Sequence, residues 1–173
     1  MNFRYCIAAI QIIILLTISV ICKAQGKHYE GLKSFGISAS SSIRSKGIGL
    51  NYEYFISSRA IAKGNLCYEK FFFDYSDYKT YKFSPSVLYN FYNYRFIYLN
   101  AKAGLLTGLE RHQCEILNDR YDNIYFGEEI GLNTEFYLTN TVKLEFEASQ
   151  LFVQKSRVMK YNTMVSVGIL INI

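Results

Sequence analysis

Lys160-Tyr-Asn-Thr-Met-Val-Ser-Val-Gly-Ile-Leu-Ile-Asn-Ile173 is the last stretch of the sequence, and its alternate residues fall into two sets. Tyr161, Thr163, Val165, Val167, Ile169, Ile171 and Ile173 form one; Asn162, Met164, Ser166, Gly168, Leu170 and Asn172 form the other. A period of two places the sets on opposite faces of a β-strand. The first set is almost wholly apolar and the second is small or polar, with Met164 and Leu170 as larger exceptions. Soluble strands average about 5–6 residues, whereas a tilted strand needs roughly 9–11 to cross a bilayer. This stretch has the length for the second task. It reads as the closing strand of a transmembrane β-barrel, with Val165, Val167, Ile169 and Ile171 facing lipid.

The same alternation recurs upstream. Strands are expected at about Tyr29–Ser40, Gly47–Ile56, Ala60–Phe71, Lys79–Phe91, Arg95–Thr107, Asn123–Leu138 and Val142–Phe152. With the last strand this makes an eight-stranded antiparallel up-and-down barrel. Connections at Ser57–Arg59, Tyr92–Tyr94 and Thr139–Thr141 are short; those at Ser40–Lys46, Phe72–Tyr78, Gly108–Asp122 and Gln154–Met159 are longer. An even strand number with short turns at one end and longer loops at the other is the outer-membrane pattern. Pro85 cannot donate to a ladder, so a bulge or distortion is expected there. Glu128 stands out as a charge on an otherwise apolar face. The competing fold is a soluble eight-stranded calyx of the lipocalin type, which would turn the apolar rows inward.

Of 173 residues, half are hydrophobic and 17% aromatic, with 16 Tyr, 13 Phe and no Trp. Tyr suits a membrane interface, because its ring is apolar and its tip polar. The net charge of +5 is mild and is not gathered into a block. It shows no basic stripe with interleaved stacking aromatics, so direct nucleic-acid binding is not expected. Residues 1–24 resemble a cleaved secretory signal: Arg4 is the basic start, Tyr5 to Ile21 the apolar run, and Cys22-Lys23-Ala24 the cleavage site. The barrel domain is then residues 25–173, destined for the bacterial outer membrane. Its two cysteines, Cys67 and Cys114, are too few for a disulfide scaffold, and free thiols are expected although one bond is possible.

If the apolar rows meet lipid, the polar rows fill the barrel. Glu53, Lys63, Lys102, Glu129, Glu135, Lys143 and Glu145, with Asn51, Asn100 and Glu147, are expected inside. Eight strands leave an interior only wide enough for side chains. A buried charge without a partner costs several kcal/mol, so these groups should pair as a polar plug; a narrow ion path is the sharper alternative. Catalytic, cofactor and metal sites are not indicated. His112, beside Arg111 and near Cys114, is the one candidate for a rim hydrolase, and a single His–Cys spacing is a weak nucleophile motif.

The stretch Glu135-Phe-Tyr-Leu-Thr-Asn140, the pair Lys160-Tyr161 with Thr163, and Val165-Ser-Val-Gly-Ile169 before Ile171-Asn-Ile173 resemble the TraO family of Bacteroidetes conjugative transposon proteins. Phe96-Ile-Tyr-Leu-Asn-Ala-Lys-Ala-Gly-Leu105 is similar to a further strand of that family. The N-terminal segment lacks the family's Cys-Pro lead-in, and the loops depart from it as well. The resemblance implies an outer-membrane component of a mating apparatus, a structural or anchoring element in DNA transfer between cells. Its partners would be outer-membrane lipid and other conjugative transfer proteins. A general surface barrel for adhesion or envelope stability, or a small pore, is the alternative.

Overall fold

The computed structural model describes residues 28–73, 76–114, 119–156 and 160–173. The expected leader, residues 1–24, lies outside them, as do parts of three of the longer connections. Eight strands follow in order: β1 (Lys33–Ser42), β2 (Ser45–Phe55), β3 (Ala60–Phe73), β4 (Ser76–Tyr94), β5 (Ile97–Cys114), β6 (Asp119–Tyr137), β7 (Val142–Gln154) and β8 (Tyr161–Asn172). Each pairs antiparallel with its neighbour in sequence, and β1 pairs with β8, so the sheet closes. No helix occurs among the described residues.

Closure comes with a stagger. Walking across the ladder from Gln150 through Ile130, Ala103, Val87, Ala62 and Tyr54 reaches Lys33. Met164, one residue along β8 from the partner of Gln150, instead pairs with Ser42. The circuit therefore slips by about ten residues, a shear that requires strongly tilted strands.

Hydroxyl side chains build the tight turns at the end that holds His28 and Ile173. Ser57 Oγ accepts from the N–H groups of Arg59 (3.2 Å) and Ala60 (3.0 Å). Thr139 Oγ1 does the same for Thr141 (3.2 Å) and Val142 (2.9 Å). Both are side-chain mimics of a backbone turn. At the far end Ser42 Oγ accepts from Ser45 N–H (3.1 Å), which shortens the expected Ser40–Lys46 connection to Ile43-Arg44.

Other expectations change too. The expected Phe72–Tyr78 connection is mostly strand, since β3 runs to Phe73 and β4 starts at Ser76, paired across the ladder. Gly108–Asp122 is not a long loop: β5 runs on to Cys114 and β6 starts at Asp119. Every residue from Gly108 to Cys114 has a ladder partner on β6, and these backbone bonds hold polar sequence in a strand. Tyr92–Tyr94 belongs to β4, and the turn is Arg95-Phe96, with Arg95 in the left-handed region (φ 54°). Pro85 shifts no register, but the expected local distortion is there: Ser84 and Pro85 have no ladder partner on β5. The β4–β5 register is the same on either side of it, from Phe83↔Thr107 to Ser86↔Gly104, and the shift falls between Asn90 and Tyr92.

Candidate functional site

The two faces divide as the alternation predicts. Val165, Val167, Ile169 and Ile171 are exposed, as are Phe35, Ile37, Ile48, Leu50, Leu66, Phe83, Val87, Leu105, Ile130 and Leu132. This apolar surface surrounds the barrel, far beyond the few hundred Å² patch tolerated on a soluble monomer. Glu128 is the expected exception, exposed on the same face and paired in the ladder with Leu105 and Phe152. A lipocalin-type calyx needs these rows inside, so that alternative is overturned.

The polar rows face inward and are nearly inaccessible. Glu53, Lys63, Lys102, Glu129, Glu135, Lys143, Glu145 and Glu147 all have 6% exposure or less. Lys63 on β3 reaches across the lumen to Glu145 and to Glu147 (3.0 Å) on β7. Lys143 on β7 donates to Glu53 on β2 (2.5 Å) and to Glu135 on β6 (2.9 Å). Lys102 on β5 sits 2.8 Å from Glu129 and 2.7 Å from Glu147. Asn100 donates to Asn133 (2.9 Å) and Glu135 (2.8 Å), and Asn133 donates to Glu145. Asn65 donates to Asn51 (2.6 Å). Among the described residues, seven buried glutamates face four buried lysines, and three of these lysines are each shared between two or more carboxylates. The links from Lys63 to Glu145 and Glu147, from Lys143 to Glu53 and from Lys102 to Glu147 join strands that are not neighbours in the sheet and brace the barrel from within; the others tie adjacent strands. The void enclosed among Asn51, Lys63, Lys102, Glu129, Glu145 and Glu147 is about 10 Å³, roughly the least that admits one water.

Sequence reasoning missed how far this network extends. Lys82 donates to Glu69 at 2.8 Å, with the Met164 sulfur 3.4 Å away. Glu110, placed in the expected long loop, is buried and accepts from Ser156 and from Asn123 (3.2 Å). His28 stands in the lead-in just before β1, yet its ring stacks on Tyr98 (3.9 Å between centroids) and its Nε2 donates to Glu135 at 3.0 Å. Period-two reading carries no signal for such a contact, 107 residues apart in sequence.

Apolar plugs close the polar centre at both ends. Phe71, Tyr78, Leu106, Tyr125, Leu151 and Val153 pack together at the end opposite His28 and Ile173. Leu32, Phe55, Ile61 and Leu88 pack at the other, with Tyr98 and Tyr137 beside His28. A signal for these plugs did exist. Tyr54-Phe55-Ile56, Val87-Leu88-Tyr89, Leu105-Leu106 and Leu151-Phe152-Val153 are runs apolar at consecutive positions, so both faces must be apolar there.

His112 is on β5 rather than in a loop, and its ring neighbours Tyr78 (5.9 Å) and Tyr121 (5.6 Å). The Cys67 thiol is free and buried in the lumen, 3.6 Å from Glu69, while the Cys114 side chain lies outside the described part. Among the described residues, no three His, Cys, Asp or Glu side chains group as a metal site.

A closed up-and-down sheet with charges braced inside and an apolar girdle outside defines an eight-stranded barrel of the outer-membrane class. Solved structures agree. The chain is similar to the N-terminal barrel domain of Pseudomonas aeruginosa OprF, with a TM-score of 0.67, 13% identity, and coverage of 83% of this chain and 98% of that one. It is similar to Neisserial surface protein A (TM-score 0.64, 14% identity, 81% and 94% coverage). It is also similar to Ail, the attachment invasion locus protein of Yersinia pestis (TM-score 0.57, 13% identity, 83% and 99% coverage). At these identities the likeness is one of fold. No family model matches the chain, and no curated protein matches it.

Proposed function

We propose that this protein is a sealed outer-membrane barrel that serves as a rigid anchoring element of a conjugative transfer apparatus. The observation that carries the structural role is the set of ion pairs spanning the lumen, from Lys63 to Glu145 and Glu147 and from Lys143 to Glu53. Side chains locked in such pairs stiffen the wall and leave no room for a substrate path, which favours a scaffold over a pore or an enzyme. The tie to conjugation rests on the resemblance carried by Glu135-Phe-Tyr-Leu-Thr-Asn140 and the motifs of the last strand. In this reading the short turns and both termini face the periplasm, where partner transfer proteins would dock, and the opposite loops face outward.

Deleting the gene from a transferring element tests the role. Transfer frequency should fall and recover with a plasmid-borne copy, and the folded barrel should co-purify with other transfer proteins from outer membrane. Undiminished transfer would remove the conjugative role. A second reading is a surface barrel for attachment or envelope stability, favoured by similarity to Ail, whose name describes attachment and invasion. Loss of envelope integrity or cell attachment in the same deletion strain, with transfer intact, would select it.

A further inference from the structure

Glu128 stands on the outer wall without a counter-ion. Its outward neighbours along β6, Phe126 and Ile130, are exposed, and its ladder partners are Leu105 and Phe152. Among the described residues it makes no ion pair. A carboxylate in such apolar surroundings is poorly hydrated, so a cation brought to it there is held more strongly than in water. Gln150, two residues along β7 from Phe152, adds a polar group on the same face and accepts from Thr163 (2.6 Å).

The barrel carries the complementary charge on its far side at the same height. β2 and β6 are four strands apart in a closed ring of eight, so they face opposite directions. Along the ladder Glu128 leads through Leu105, Pro85 and Gly64 to Tyr52 on β2, with Pro85 placed by the constant register around it. That walk descends toward the end with His28 and Ile173. The whole circuit slips by about ten residues, so half of it slips by about five. The position on β2 level with Glu128 is therefore Gly47, about five residues from Tyr52, and Lys46 is the outward residue next to it. Lys46 is exposed, makes no ion pair among the described residues and lies 5.9 Å from the Phe72 ring. Beneath it runs a groove of about 1080 Å³ whose wall includes Ile48, Leu50, Leu66 and Tyr68. Phe126 and Phe152, which flank Glu128, are exposed rings suited to such a groove.

We propose that copies of this barrel associate side by side in the membrane, the Glu128 face of one against the Lys46 face of the next. The carboxylate meets the ammonium, and Phe126 and Phe152 enter the groove below Lys46. A second copy suits these faces because the membrane holds every copy at one depth, which brings the two charges to a common level. The contact is heterologous, since each copy uses two different faces. These faces are half a turn apart, so successive copies repeat without rotation and form an open row, not a ring. The inference goes beyond the anchoring role and does not depend on conjugation.

Crosslinking in bilayers tests the row. Single-cysteine proteins I130C and I48C, each also carrying C67S and C114S, are folded together into phosphatidylcholine bilayers, and insertion is scored by protease protection. A short bis-maleimide should join I130C to I48C and should join neither to itself. A protein with both cysteines should give trimers and longer products. E128K alone and K46E alone should each lower the I130C–I48C yield about tenfold, because like charges then face each other. E128K/K46E should restore it, and K33E, a reversal at the end with His28, should leave it unchanged. The pattern of cysteine pairings needs no charge variant, so it decides the question even if E128K or K46E does not fold. Equal yields for all three pairings, products that stop at dimers, or undiminished crosslinking in the folded single reversals would each overturn the proposal. A folded E128K/K46E as weak as the single reversals, or equal loss in K33E, would do so as well. Failure to insert would overturn the membrane reading, and the row with it.

Discussion

At the scale of single residues, what distinguishes this protein is where its charges went. Lys143 is wholly buried, lies 5.0 Å from the Phe55 ring centroid and joins Glu53 to Glu135. Removing one member of a buried pair strands the others, at a cost of about 3–5 kcal/mol. Lys143→Met should therefore lower the stability measured by urea unfolding in vesicles by that amount. Lys143→Met combined with Glu53→Gln and Glu135→Gln should recover part of the loss, because no carboxylate is left without its cation. The outer face is ruled by the opposite cost. Val167 is exposed at mid-height and its neighbour Ser166 points inward. Val167→Arg places a charge in hydrocarbon and should cost about 2–4 kcal/mol. Ser166→Arg meets the packed lumen instead and should act through crowding, so its effect should persist when the barrel is held in detergent. Equal tolerance of Arg at both positions would mean that the faces are reversed.

Between residues and the whole barrel stand the strands and turns. β4, β5 and β6 have 19, 18 and 19 residues, well beyond the roughly 9–11 needed to cross a membrane. Their upper halves project as a wall over one side. Turn chemistry at the other end is local and can be tested there. Thr139 Oγ1 satisfies two backbone N–H groups. Thr139→Ala should destabilise the barrel by about 0.5–1.5 kcal/mol, the worth of an ordinary hydrogen bond. Thr139→Ser should restore most of it in the same unfolding assay. Close packing inside the wall sets a further limit at Gly108, where an added Cβ would run into the Tyr125 ring.

For the molecule as a whole, the lumen has three layers: an aromatic and apolar plug, a braced polar centre, and a second apolar plug that includes the lead-in residues His28 and Leu32. Eight strands leave little room, and that room is occupied. Planar-bilayer recordings of the purified protein should show conductance no greater than that of the bare membrane. Steady channels well above that level would overturn the sealed barrel and return the pore reading. Lys143→Met is the variant in which a leak would first be expected, since it loosens the brace nearest the lower plug.

Much of this is legible in the amino-acid sequence by itself. The alternation from Lys160 to Ile173, repeated seven times upstream, carries the strand number, the inside-outside assignment and the membership of the polar interior from Glu53 to Glu145. Periodicity is a local property of the chain, and a strand's two faces are determined by parity alone. Three matters are not local. Strand ends in β5 and β6 depend on ladder partners that keep polar residues such as Arg111 and His112 in register. The pairing of Lys63 with Glu145 and of His28 with Glu135 depends on which side chains meet across a closed lumen. Lys46, Lys70, Lys79 and Arg111 stand side by side only because register sets them so, residues as much as 65 positions apart that no one-dimensional pattern connects. Parity along the chain decides which way a side chain points; only closure of the sheet, with its tilt and stagger, decides what it meets.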